Sequence, residues 1–227
     1  MLTVLLIGVL WVAFAGTHVW LSSSGLRLRL VDRLGAQPFQ GLYSLVALAT
    51  FVPLVWFFAT HKHGGPLLWT TLGPAVLARG ASHVLMALAL VLFVASLLPG
   101  GAAPSAMQAR GPARAQGMTR VTRHPMLAAF GLFGVAHLLV NGSLGDAVFF
   151  GGFPLFTRIG GHHQDGRKAR EVSGYDELIA TTSILPFGAI AAGRQHLVAR
   201  ELPLAAIAIG LVLTVVLRTY HDVLFGP

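Results

Sequence analysis

Ten histidines lie in a chain that is 55% hydrophobic and only 11% charged. Two of them stand in apolar runs without a charged neighbour. His18 lies in Phe14-Ala15-Gly16-Thr17-His18-Val19-Trp20, and His137 in Phe133-Gly134-Val135-Ala136-His137-Leu138. A polar side chain at membrane depth is costly and marks a functional candidate. One reading has each imidazole donating to a carbonyl on an adjacent helix. The other has both ligating iron, because neutral imidazole binds haem well and a helical bundle can hold a porphyrin. Ala15, Gly16, Gly131, Gly134 and Ala136 would let a flat ring approach the helices. His83, beside Arg79 and Ser82, is a third candidate, with an interfacial position as its plainer reading. His61, His63, His196 and His221 fall at span ends or in loops. His162 and His163 are adjacent and so rarely point the same way. With no cysteine, disulfides, zinc thiolates, iron–sulfur clusters and a thiol nucleophile are all excluded.

A second signal is Arg120-Val121-Thr122-Arg123-His124-Pro125. Proline suits the first turn of a helix, where its missing N–H costs nothing. Thr122 or the backbone near it can cap that turn. Arg123 and His124 then crowd a helix N-terminus, which suits an anion. A basic pair that snorkels and anchors the helix is the equal alternative.

The elements that carry these residues follow from composition. A soluble domain has roughly 25% charged residues, whereas this chain combines its 11% with a mean hydropathy of +0.72. The net charge of +8 and the sequence pI near 11.3 do not indicate nucleic acid, because the arginines lie between apolar runs rather than on a basic face. Hydrocarbon needs roughly 20 apolar residues of helix to span it. The expected spans are Leu2–Leu21, Phe39–Thr60, Pro74–Leu98, Pro125–Val140, Leu144–Phe156 and Leu202–Leu217. No Lys or Arg precedes Thr17, so the first reads as an uncleaved span rather than a signal peptide. Pro53 is an expected kink, and Asn141-Gly142 an expected tight hairpin between the fourth and fifth spans. Ser183–Ala192, with Pro186, is too short to span and reads as re-entrant or interfacial. The fold class is therefore an all-α, polytopic membrane helical bundle of about six transmembrane helices in a single domain, residues 1–227.

Orientation follows from the loops. With the N-terminus outside, Arg27, Arg29, Arg33, Arg110, Arg114, Arg120, Arg123, Arg158, Arg167, Lys168, Arg170, Arg194 and Arg200 face the cytoplasm. Only Lys62, Arg79 and Arg218 face outward, the bias that the positive-inside rule requires. Gly100–Gly117, rich in Gly, Ala and Pro, is an expected mobile cytoplasmic loop.

Thr122-Arg123-His124-Pro125, Ala136-His137, Gly161-His162-His163, Asp165-Gly166-Arg167 and Gly193-Arg194-Gln195, together with Ala15-Gly16-Thr17-His18, resemble the NnrU family in order over almost the whole chain. That family includes bacterial membrane proteins associated with denitrification and the plant zeta-carotene isomerases. The resemblance implies a bacterial inner-membrane protein with haem b, its iron held axially by His18 and His137, and control by redox state or a diatomic gas. A haem-dependent cis–trans isomerisation of a linear polyene is the enzymatic form it implies. The isomerase branch has a cysteine where this chain has Gly134, so a thiolate ligand is not available here.

Depth sets a difficulty. His137 lies twelve residues inside its span, about 18 Å, and His18 three residues from the same end of its own, about 5 Å. The span ends differ from those drawn, or the haem is tilted, or His83 replaces His18. Arg123 and His124 are the expected contacts for the haem propionates, in a six-coordinate bis-histidine site. The partners expected are membrane lipid, a hydrophobic small molecule or diatomic gas, and a respiratory complex, with no nucleic acid. Two other classes remain open. The arginine-histidine-proline piece also resembles membrane methyltransferases that use S-adenosylmethionine, although their paired glutamates are replaced by Asp165-Gly166 and a lone Glu171. A non-catalytic assembly factor of a respiratory complex is the third.

Overall fold

The computed structural model describes residues 1–98 and 112–226. Arg110 and most of the Gly100–Gly117 loop lie outside the described residues. Eleven α-helices follow in order among them: α1 (Leu2–Leu21), α2 (Ser24–Leu34), α3 (Ala36–Thr60), α4 (Ala75–Leu97), α5 (Met118–Val121), α6 (Pro125–Leu138), α7 (Leu144–Glu171), α8 (Tyr175–Thr181), α9 (Gly188–Ala191), α10 (Leu204–Thr219) and α11 (His221–Phe225), with a 3-10 turn at Ala199–Glu201. The chain is an all-α membrane helical bundle. α1, α3 and α4 are each long and apolar enough to cross a bilayer, while α6 and α10 are shorter apolar helices. Leu5, Val9 and Val12 of α1 point outward, as side chains facing lipid do.

Packing runs in a row. α3 lies on α1, α1 on α7, α7 on α6, α6 on α4 and α4 on α10. Two cores result. Ile7, Trp11, Leu54, Phe58, Phe149, Phe150, Phe153 and Phe156 join α1, α3 and α7, and Val91, Leu92, Ala95, Ala128, Ala129 and Ala206 join α4, α6 and α10.

The largest departure from the sequence reading is α7. Its apolar part ends near Phe156, as expected, but the helix continues to Glu171. It therefore projects well beyond the span and carries Asp165, Arg167 and Lys168. Ser143 starts it with a capping box: its hydroxyl accepts from the Asp146 amide at 3.0 Å, and the Asp146 carboxylate accepts from the Ser143 amide at 3.2 Å. The break at Asn141-Gly142 holds as a tight turn, crossed by the strand-like segment after α3, where the Leu68 amide donates to the Gly142 carbonyl at 2.7 Å. Ser183–Ala192 forms a turn and the one-turn α9, tied to α5 by the Phe187 amide on the Val121 carbonyl at 2.9 Å.

Close crossing of α6 and α7 has a specific cause. Pro154 has no N–H, so the Phe150 carbonyl four residues earlier loses its helical donor. Gly134 packs directly against that carbonyl, and a Cβ there would lie 2.4 Å from the oxygen. Nothing larger than glycine fits without separating the helices. Gly134→Cys should lower thermal stability by roughly 1–3 kcal/mol, as overpacking does. Gly151→Ala, whose added Cβ meets nothing within 4 Å, should leave the melting temperature in detergent nearly unchanged. Equal melting for Gly134→Cys and wild type would refute the close-crossing account.

Candidate ligand cavity and the histidines

Arg123 and His124 precede α6, and the anion they hold is supplied by the chain. The Arg123 Nε–H lies 3.0 Å from both Asp165 oxygens and Nη2 donates to Oδ2 at 2.7 Å, while Nη1 donates to the Thr182 carbonyl at 3.1 Å. His124 Nε2 lies 2.7 Å from Asp165 Oδ1. An ionised carboxylate can only accept, so Nε2 carries the proton. The Tyr175 hydroxyl donates to the same oxygen at 3.3 Å. Arg123, His124 and Asp165 are all buried. Burial alone would raise the Asp165 pKa, but the hydrogen bonds from His124 and Arg123 outweigh it and hold the group at about 2. For His124 burial is the largest influence and lowers its pKa, against the raising effect of the Asp165 hydrogen bond and charge. Around this centre, Thr122 Oγ1 donates to the Ile184 carbonyl at 2.7 Å and the Arg123 amide to the Ser183 carbonyl at 3.0 Å. The basic pair thus ties α6, α7, α8 and the 183–187 turn together.

Behind this knot lies an apolar cavity of about 380 Å³ between α1, α3, α6 and α7. Trp11, Phe14, Phe51, Phe130, Phe153 and Phe156 form its aromatic wall, and His18 lies on it. His124 and Lys168 stand at its arginine-rich end. The His18 ring packs on Phe14, Tyr43 and Phe156, with centroids 5.5, 4.6 and 5.3 Å away. Its Nδ1 is buried and has no hydrogen-bond partner among the described residues. The reading in which His18 serves only to donate to a carbonyl thus has no support at that nitrogen.

His137 is different. Its Nδ1 lies 2.9 Å from the Phe133 carbonyl, one turn back on its own helix, and its ring stacks on Phe150 at 4.6 Å and 16°. A carbonyl only accepts, so Nδ1 carries the proton and Nε2 keeps a lone pair, an arrangement that metal-bound imidazoles share. The ring is not on the wall of the His18 cavity. A chain of ring contacts through Phe133, Phe153, Trp11 and Phe14 links the two histidines, and of these only Phe133 is off the cavity wall. Along α7, the Phe150 that meets His137 and the Phe156 that meets His18 are six residues, about 9 Å, apart. The two expected ligands are not brought onto one cavity. His83 is exposed at the opposite end, where its Nε2 accepts from Arg218 Nε at 2.9 Å. That bond occupies the lone pair an iron would need.

Asp165, Tyr175 and Lys168 had no assigned role in the sequence. A signal was present for Asp165, the only carboxylate between Asp146 and Glu171 in a stretch with several cations. Lys168 is buried, with its ammonium 5.6 Å from the Tyr175 ring centroid. Burial, then the nearby Arg167, lowers its pKa to about 8. His163 Nε2 and Arg167 Nε are further buried nitrogens without a partner among the described residues.

Two measurements check the knot. Asp165→Asn leaves a buried guanidinium without its counter-charge and should cost about 3–5 kcal/mol, seen as a large fall in melting temperature. Because the His124 pKa is depressed in the fold, its contribution is present above its ordinary 6.5 and is lost as pH falls below it. Melting temperature should therefore drop from pH 7 to pH 5, and His124→Gln, which keeps a donor but cannot titrate, should flatten that slope. An unchanged slope would show that His124 does not carry it.

The family model for "NnrU protein" matches residues 4–227. No curated protein and no solved structure matches the chain. With nearly the whole chain matched, from α1 through α11, this protein belongs to the NnrU family.

Proposed function

We propose that this protein binds haem b within the membrane bundle, where His18 would hold the iron, and acts as a redox- or nitric-oxide-linked component of a bacterial inner membrane. One observation carries the reading: the His18 ring on the cavity wall, with a buried Nδ1 that no described residue satisfies. Leaving a buried polar atom unmet costs about 1–3 kcal/mol, and binding that engages the imidazole can offset the cost. The phenyl and indole rings of the cavity suit a flat apolar macrocycle, and the Lys168 ammonium at the arginine-rich end suits a carboxylate. Arg123 is committed to Asp165, so its role is to fix the N-terminal end of α6 as part of that wall. Haem would supply one-electron chemistry and an iron able to take a diatomic gas. Phe14 and Phe156 would orient the His18 ring, and the surrounding apolar side chains would exclude water. His137 becomes a second ligand only if the Phe133–Phe153 layer opens on loading.

The visible spectrum of purified protein supplied with haem tests this. A stoichiometric Soret band is expected, lost or strongly reduced in His18→Ala, with Phe14→Leu as a variant that keeps the imidazole. If His137→Ala converts a low-spin spectrum to high-spin, both histidines bind and the aromatic layer moves. A protein that takes up no haem, or a His18→Ala variant with an unaltered spectrum, sinks the proposal.

The arginine-rich end is assigned to the cytoplasm. A periplasmic reporter fused after Leu98 should be inactive and one fused after Asn141 active, and the reverse pattern would invert the assignment.

A further inference from the structure

A second cavity, of about 470 Å³, opens on the other side of α6 between α6, α7 and the 182–186 turn. Its two halves differ. Leu132, Val135 and Leu185 form an apolar side, and Val135 and Leu185 are exposed, so that side is open to surrounding acyl chains. The other side carries Arg158, His162 and Arg194, and no carboxylate of the described residues lies on the wall. Arg123 also reaches this wall, but Asp165 already neutralises it. Arg158 makes no ion pair or hydrogen bond with any described residue. Among the described residues Arg194 donates only to neutral backbone carbonyls, to Ala180 at 2.6 Å and to Thr182 at 3.3 Å, so none of them compensates its charge.

Two guanidiniums that no described residue neutralises, beside an apolar trough at the point where α7 leaves its apolar stretch, define the chemistry of the occupant. We infer that this cavity binds one anionic phospholipid from the leaflet at the arginine-rich end, with the phosphate on Arg158 and Arg194 and an acyl chain along Leu132 and Val135. Guanidinium forms strong charge-assisted bonds to phosphate, and His162 stands beside the same position as a further donor. Val135 is exposed on α6, so the apolar lining adjoins a surface open to acyl chains. This site is separate from the His18 cavity and stands independently of haem.

Native mass spectrometry of the full-length protein in detergent, with phosphatidylglycerol or phosphatidylcholine of identical chains added, tests it. One phosphatidylglycerol should be retained per chain in preference to phosphatidylcholine. Replacing both cations in Arg158→Gln/Arg194→Gln should weaken retention about 25-fold, the effect of about 2 kcal/mol at about 1 kcal/mol per surface arginine. Leu132→Trp, which fills the trough, should also reduce retention while leaving both arginines in place. His18→Ala should have no effect on it, and Arg218→Gln at the opposite end should have none either. Equal retention of the two lipids, or undiminished retention in the double variant with melting like wild type, overturns the proposal. Displacement of the lipid by millimolar inorganic phosphate, with Leu132→Trp silent, would show a simple anion site and also overturn it.

Discussion

The buried pair of Arg123 and Asp165 fixes the arginine-rich half of this molecule. Asp165 stands on the part of α7 that projects past the apolar span, and Arg123 stands just before α6. Removing two ions from water costs several kcal/mol each, so such a pair adds little net stability unless its geometry and additional hydrogen bonds are good. Here the guanidinium meets the carboxylate through Nε and Nη2, His124 adds a third donor, and Thr182 takes the remaining arm. The value of the pair lies in specification. Breaking it leaves a buried charge, so the register of α6 against α7 has one acceptable solution. Both cavities inherit their walls from that register, because Arg123 borders each of them.

Within the membrane portion the constraint is steric. Hydrocarbon gives no hydrophobic drive for helices to meet, so contact depends on close packing. Gly134 against the Phe150 carbonyl lets α6 and α7 approach, and Gly152 beneath the Trp11 ring does the same for α1, where an added Cβ would meet the indole at 2.2 Å. Trp11 Nε1 donates to the Phe149 carbonyl at 3.0 Å, which ties α1 to α7 by a bond that lipid cannot replace. The phenylalanines then fill what the glycines leave. They also decide which histidine meets the cavity, since Phe133 and Phe153 stand on the path from His137.

The spans were legible because a run of apolar residues has only one solvent to suit it. The ends of α3, α4 and α6 fall within three residues of those read from the sequence. The projection of α7 was not legible, because the apolar run that marks a span stops near Phe156 and the polar stretch beyond it is held as helix by Asp165 and Lys168 packing on its neighbours. Arg123 and His124 could be found as a basic pair at a helix start, but local sequence contains no trace of which anion meets them. Asp165 lies forty-two residues on. The histidines show the same limit. His18, His124 and His137 are one residue type in three conditions: one nitrogen unsatisfied, one proton given to a carboxylate, one given to a carbonyl. Spacing along the chain cannot distinguish these, because each depends on what the next helix presents.

The scarcity of carboxylates connects these features. Sixteen lysines and arginines face eight aspartates and glutamates. Four of the eight join segments far apart in sequence: Asp146 to His63, Asp165 to Arg123, Glu171 to Arg27 and Glu201 to Arg120. Hydrogen bonds from Arg120 and the Gly117 amide hold the half-buried Glu201 at about 2, so this link remains ionised at any physiological pH. Acids used in this way as cross-links cannot also neutralise the surface. Arg158 and Arg194 are consequently left beside apolar side chains with no acid of the described residues on the cavity wall. For a soluble protein, water would solvate such a surplus. At the rim of a bilayer the nearest abundant anions are lipid phosphates, so the same economy of acids that fixes the bundle also leaves its arginine-rich end charged toward the membrane surface.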